Sequence, residues 1–186
     1  MITITTLWAA ILLSAVFAWI MSALVWMVLP HHKKDFQPLP DEAAAVEVLR
    51  PQKLKPGQYN IPHCADMAEF KTPQAQARFD QGPVGFLTVV DNGMPSMGKM
   101  LVSQFVYFLV VGVVIAYLAS RMLEPGEDYL SVFRLTATVA FAAYGLGSVP
   151  DAIWFGRPWS AIAKNAFDAL LYALVTGGVF GWLWPA

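Results

Sequence analysis

Residues 7–29 run for 23 positions without one Asp, Glu, Lys or Arg. A helix of about 20 residues, rising about 1.5 Å per residue, crosses the roughly 30 Å hydrocarbon core of a bilayer. No other feature narrows the possible folds as much, because such a run must be buried in lipid or in a large core. A chain of 186 residues has little room for the second option. Residues 101–120 form a second run, 20 positions long and also uncharged. Two shorter runs follow at 135–149 and 169–184, and each becomes long enough by extending toward Arg134, or across Asp168 and Lys164. Arg134 then has to snorkel to the interface.

Composition agrees with this division. Charged residues make up 13% of the chain, against about 25% in soluble domains, and mean hydropathy is +0.52. The expected fold is an all-α integral membrane protein with four transmembrane helices. The first lies within residues 1–30 and the others near 100–121, 129–150 and 162–184. A small α+β extramembrane domain occupies residues 31–99 between the first two. The first run reads as a retained anchor, because MITITT lacks the basic flank of a signal peptide.

Inside 31–99 several elements are legible. DEAAAVEVLR, residues 41–50, has acids in its first turn and Pro51 as its stop, which predicts a helix. Thr72-Pro73 supplies an N-cap and a first-turn proline, with Gly82 past the end of the helix they open. GFLTVV at 85–90 reads as a strand, and PGQYNI at 56–61 as its partner.

Basic residues near span ends set the expected orientation. Lys33, Lys34, Lys99, Arg157 and Lys164 stand on one side, and only Arg121 and Arg134 on the other. This places both termini in the periplasm and the 31–99 domain in the cytoplasm. Trp26, Trp154 and Trp159 on the inner side, with Trp8, Trp182 and Trp184 on the outer, fit an interfacial belt.

Small residues recur every four positions in three of the spans: Ser14, Ala18 and Ser22; Gly112 and Ala116; Ala173, Gly177 and Gly181. Helices in lipid associate through close backbone approach at such residues, so these positions are predicted packing faces, within the chain or against another.

The candidates for chemistry are few. His31, His32, His63, Cys64, Met94 and Met97 supply nitrogen, thiolate and thioether donors that suit copper or zinc. No CxxC or HxxxH spacing supports a closed site, and adjacent histidines usually point apart. The simpler expectation is that Pro30 ends the first span and that His31 and His32 are wet interfacial residues. Lys164 and Asp168 form an i, i+4 pair near a span end. Tyr107, Thr136, Tyr144 and Thr176 are polar groups that bond across helices. No hydrolase, zincin or phosphate-loop motif is present, so nothing points to an enzyme. A lone Cys64 excludes an internal disulfide, and a net charge of −1 gives no reason to expect nucleic acid.

WMVLPHHKKDF, PGQYNIPHC, GPVGFLTV, IWFGRPWS and the FGWLWP ending resemble a group of small bacterial four-span membrane proteins. The resemblance implies a bacterial inner membrane and transfers no site residues. The expected role is a small accessory, assembly or interaction subunit without catalysis, partnered by lipid and by other membrane subunits or itself. A copper- or zinc-handling protein is the alternative, and a small-solute carrier the third.

Overall fold

A threonine side chain opens the first helical stretch. Thr3 caps a short 3-10 turn, Ile4–Leu7, by accepting from the Thr6 amide, and the chain runs on into α1, Trp8–Met27. The structure, a computed structural model, describes residues 2–186. The other elements are α2 (Glu42–Leu49), β1 (Gly57–Ile61), α3 (Met67–Phe70), α4 (Pro73–Gln81), β2 (Gly85–Val89), α5 (Met97–Met122), α6 (Tyr129–Gly145), α7 (Val149–Phe155) and α8 (Trp159–Trp182). The fold is mostly helical, with one small two-stranded sheet. Ile4–Met27, Met97–Met122 and Tyr129–Phe155 are long and apolar enough to cross a membrane. The last is α6 carried on through the turn Leu146–Ser148 into α7.

Two compact units emerge. The helical unit takes the chain up to Asp35, with Ser96–Ala152 and Pro158–Ala186. In it α8 packs against both α6 and α1, and α5 packs against α1 and α6. The small-residue stripes form these contacts. A Cβ added to Gly177 would lie 2.7 Å from the Ala137 Cβ, and one on Gly181 would lie 2.7 Å from the Tyr129 ring. Only glycine admits so close an approach of α6 and α8. On the α1–α5 side, a Cβ added to Gly112 would lie 3.4 Å from Ile11 and 3.6 Å from the Ser14 hydroxyl. Ser14, Ala18, Ala116 and Ala173 are fully buried, and Ser22 is half-buried with its hydroxyl on the Trp19 carbonyl. The stripes therefore pack within one chain.

Several polar groups inside this unit find partners within it. Thr136 donates to the Val132 carbonyl at 2.7 Å, Tyr107 donates to the Ala143 carbonyl at 3.1 Å, and the Tyr144 and Thr176 hydroxyls lie 3.4 Å apart. At the end of the chain, the Trp184 indole donates to the Glu124 carbonyl. The Gly126 amide donates to the Pro185 carbonyl, and the two bonds fasten the α5–α6 loop.

The second unit is Phe36–Pro95 with Ile153–Arg157. It starts at Phe36 rather than His31, because 31–35 belongs with the helices. β1 and β2 pair antiparallel, with Tyr59 opposite Leu87 and Gly57 opposite Val89. α2 is capped by Asp41, α3 by Asp66 and α4 by Thr72, each side chain accepting an amide in the first turn. α4 ends at Gly82, whose φ of +60° is favourable for glycine. Arg78 on α4 grips Glu69 on α3 at 2.6 Å, and Phe70 meets Phe79 edge to face at 5.4 Å.

Candidate functional site: a histidine–aspartate centre

Pro30 creates the site by ending α1. The Val28 amide makes the last bond of the helix, to Leu24. Leu29 turns extended at φ −78°, ψ 135°, as a residue before proline tends to. Pro30–His32 then form one 3-10 turn. Successive residues of a 3-10 turn project about 120° apart, so one acceptor lying between them serves both imidazoles.

That acceptor is Asp168 of α8. His31 Nε2 donates to its Oδ1 at 2.9 Å, and His32 Nε2 to its Oδ2 at 2.6 Å. His32 also donates from Nδ1 to Asp35 at 2.6 Å, and the Lys164 ammonium closes the network on the other Asp35 oxygen. The His32 side chain is 6% exposed and that of Asp168 5%. Above the centre the Trp26 indole stacks on the His32 ring, 3.9 Å between centroids and 4° from parallel. A groove of about 440 Å³, lined by Leu29, Pro30, His31, Ala163, Lys164 and Phe167, opens onto His31 from the surface.

Electrostatics set the protonation state. Burial on its own lowers the His32 pKa, but its hydrogen bonds to the Asp35 and Asp168 carboxylates outweigh this, so it lies above its ordinary value. A carboxylate on each ring nitrogen favours the charged form of His32. The His32 hydrogen bond and then the Lys164 ammonium hold Asp35 below the usual carboxylate range.

Three sequence expectations need correction here. His31 and His32 are not wet interfacial residues: His32 is buried and both are bound to one carboxylate, because the 3-10 turn lays them against α8. Lys164 and Asp168 do not pair with each other. Each takes its partner from the segment after α1, where the ring nitrogens and Asp35 offer better-desolvated contacts. The sulfur donors form no part of the centre. His63 bonds Asn60 at 2.9 Å and Cys64 lies 3.8 Å from Arg78, both within the second unit. Met94 and Met97 are exposed.

Sequence reasoning missed Asp168 as the partner of the two histidines. The available signal was an acid inside an otherwise apolar run, which must find a partner when it is desolvated.

The ligand atoms of His31, His32 and Asp168 all lie within 4.8 Å of one another. Donors around a tetrahedral zinc at about 2.0–2.1 Å stand roughly 3.4 Å apart, so shifts of an ångström or less would seat a metal ion. The Asp35–His32 bond holds the imidazole by its far nitrogen, as partners of metal-binding histidines do. Comparison with protein-family models, curated proteins and solved structures found no match to this chain.

Proposed function

We propose that this chain is a metal-handling integral membrane protein that holds one divalent first-row transition ion at His31, His32 and Asp168. The observation that carries the reading is the convergence of two imidazoles and a carboxylate, with Asp35 aligning His32 through Nδ1. Two nitrogens and one oxygen, without sulfur, suit a borderline ion of the zinc or ferrous type rather than Cu(I). On binding, His31 and His32 would each release the Nε2 proton to solvent, and His32 would keep Nδ1–H on Asp35. This convergence favours metal handling over an accessory subunit without chemistry.

The same reading includes a fourth span. α8 has 24 residues, packs along α1 and α6, and carries its only charges, Lys164 and Asp168, in its first half. Lys33, Lys34, Lys99, Arg157 and Lys164 favour the end of the bundle bearing the centre as the cytoplasmic one. The resemblance noted above favours a bacterial inner membrane.

The test is metal analysis of full-length protein purified in mild detergent without a histidine tag. Stoichiometric zinc or iron is expected in the wild type and its loss in His32→Ala and Asp168→Ala. His63→Ala keeps it. Wild-type protein that stays metal-free after incubation with each ion rejects the reading.

A further inference from the structure

Three protein ligands leave a metal ion one short of a closed tetrahedral set. Among the described residues the cluster contains no fourth His, Cys, Asp or Glu. Asp35 is already engaged by His32 and Lys164. Closed four-ligand sets are structural, whereas three ligands plus a free position are the mark of reactive centres.

A second observation lies one helical turn away. Tyr172, four residues after Asp168 on α8, is 8% exposed, and its hydroxyl has no hydrogen-bond partner among the described residues. Its ring is fixed edge-on between Phe108, at 5.7 Å, and Tyr144, at 6.1 Å. The polar neighbours of its hydroxyl are Asp168 and the indole of Trp26, the residue that stacks on His32. The Trp26 indole approaches this hydroxyl without reaching hydrogen-bond geometry, and Asp168 makes no bond to it. Buried hydroxyls are rarely left unbonded, so this one marks the place of an oxygen that the protein itself does not provide.

We propose that the metal bound by His31, His32 and Asp168 keeps an exchangeable coordination position facing Tyr172, taken by water or a small anion that bonds to the Tyr172 hydroxyl. The inference rests on the metal reading above. Tyr172 and Asp168 are both buried, which favours water or a small anion as the occupant. The groove at His31 gives the centre a route to the surface. Tyr172 is a positioning residue for the exogenous ligand, not a metal ligand.

Cobalt(II) in full-length protein, titrated with azide, tests this. In the wild type, azide is expected to shift the visible cobalt bands saturably. Tyr172→Phe should bind the same amount of cobalt, with azide affinity lowered roughly ten-fold or more, as for one lost hydrogen bond to a charged partner. Cobalt bound with bands indifferent to azide overturns the open position and leaves the metal centre standing. Equal azide affinity in Tyr172→Phe overturns the role of Tyr172, and so does a tyrosinate charge-transfer band that disappears in that variant. Wild-type protein that binds no cobalt rejects the metal centre and this inference together, an outcome distinct from all the others.

Discussion

His32 and Asp168 lie 136 residues apart in sequence and 2.6 Å apart in space. The bond joins the turn after α1 to α8, and both side chains are almost fully buried. Removing one member of a buried pair leaves the other desolvated and uncompensated, which costs about 3–5 kcal/mol. Asp168→Asn keeps the shape and removes the charge. Thermal unfolding in detergent should show it destabilised by about 3 kcal/mol, with His63→Ala unchanged. Equal unfolding of the two variants would show that the buried pair contributes nothing.

Asp35 acts on the centre through His32. Outer-shell partners of metal-bound histidines are worth about 10–100-fold in metal affinity. If the proposed centre takes zinc, Asp35→Asn should weaken that binding by at least about ten-fold in competition with a chromophoric chelator. It should not abolish binding, because all three donors remain. Unchanged affinity would remove Asp35 from the site.

Two adjacent glycines on α8 should respond oppositely to alanine. At Gly177 the new methyl collides with Ala137 at 2.7 Å, so α6 and α8 must part. The cost is about 1–3 kcal/mol. At Gly178 the nearest atom is the Tyr129 hydroxyl at 3.7 Å, an ordinary contact. Alanine there also has the better helix propensity, by up to about 1 kcal/mol. Gly177→Ala should lower the thermal midpoint and Gly178→Ala should leave it equal or higher.

Glu69 links acid to the second unit. The Ala65 amide, first, and then the Arg78 guanidinium hold its carboxyl below the ordinary value of 4.5. The folded protein therefore binds this proton less readily than the unfolded chain. The stabilisation is fully present above the unfolded pKa and is lost as pH falls through the lowered folded value. Hydrogen exchange across residues 65–81 should be slower in the wild type than in Glu69→Gln at neutral pH. The two should converge in strong acid. A gap that widens on acidification would reverse the sign and reject the assignment.

The helices were legible because their causes are local. Uncharged runs specify α1 and α5, and Thr72, Pro73 and Gly82 mark both ends of α4 within eleven residues. The four-residue spacing of Gly177 and Gly181 likewise shows a face that another backbone must approach. The centre was legible only in pieces. His31 and His32 stood out, and Asp168 was visible as a charge in an apolar run, but Lys164 offered it an obvious partner one turn away. What brings Asp168 to the histidines is the packing of α8 against α1, a contact between segments far apart in the chain. The thiol and thioethers drew attention because sulfur binds soft metals wherever it occurs, a property of residue type that carries no information about position.

The fourth span is the last expectation to test. Lys164 and Asp168 make α8 less apolar than the three other long helices, and an unpaired charge at the bilayer centre costs at least about 2.5 kcal/mol. Here the charges are paired, with Asp35 and with both histidines, and they lie in the first half of the helix. The remaining stretch, from Ala169 to Trp182, carries no charge. If α8 spans, Ser96 before α5 and Gly126 after it lie on opposite faces, and the chain end beyond α8 shares the face of Gly126. Cysteines introduced singly at Ser96, Gly126 and Ala186, in a Cys64→Ser background, should be labelled in intact cells by a membrane-impermeant maleimide only at 126 and 186. Labelling at 126 but not at 186 would mean that α8 does not cross, and labelling at 96 alone would invert the orientation.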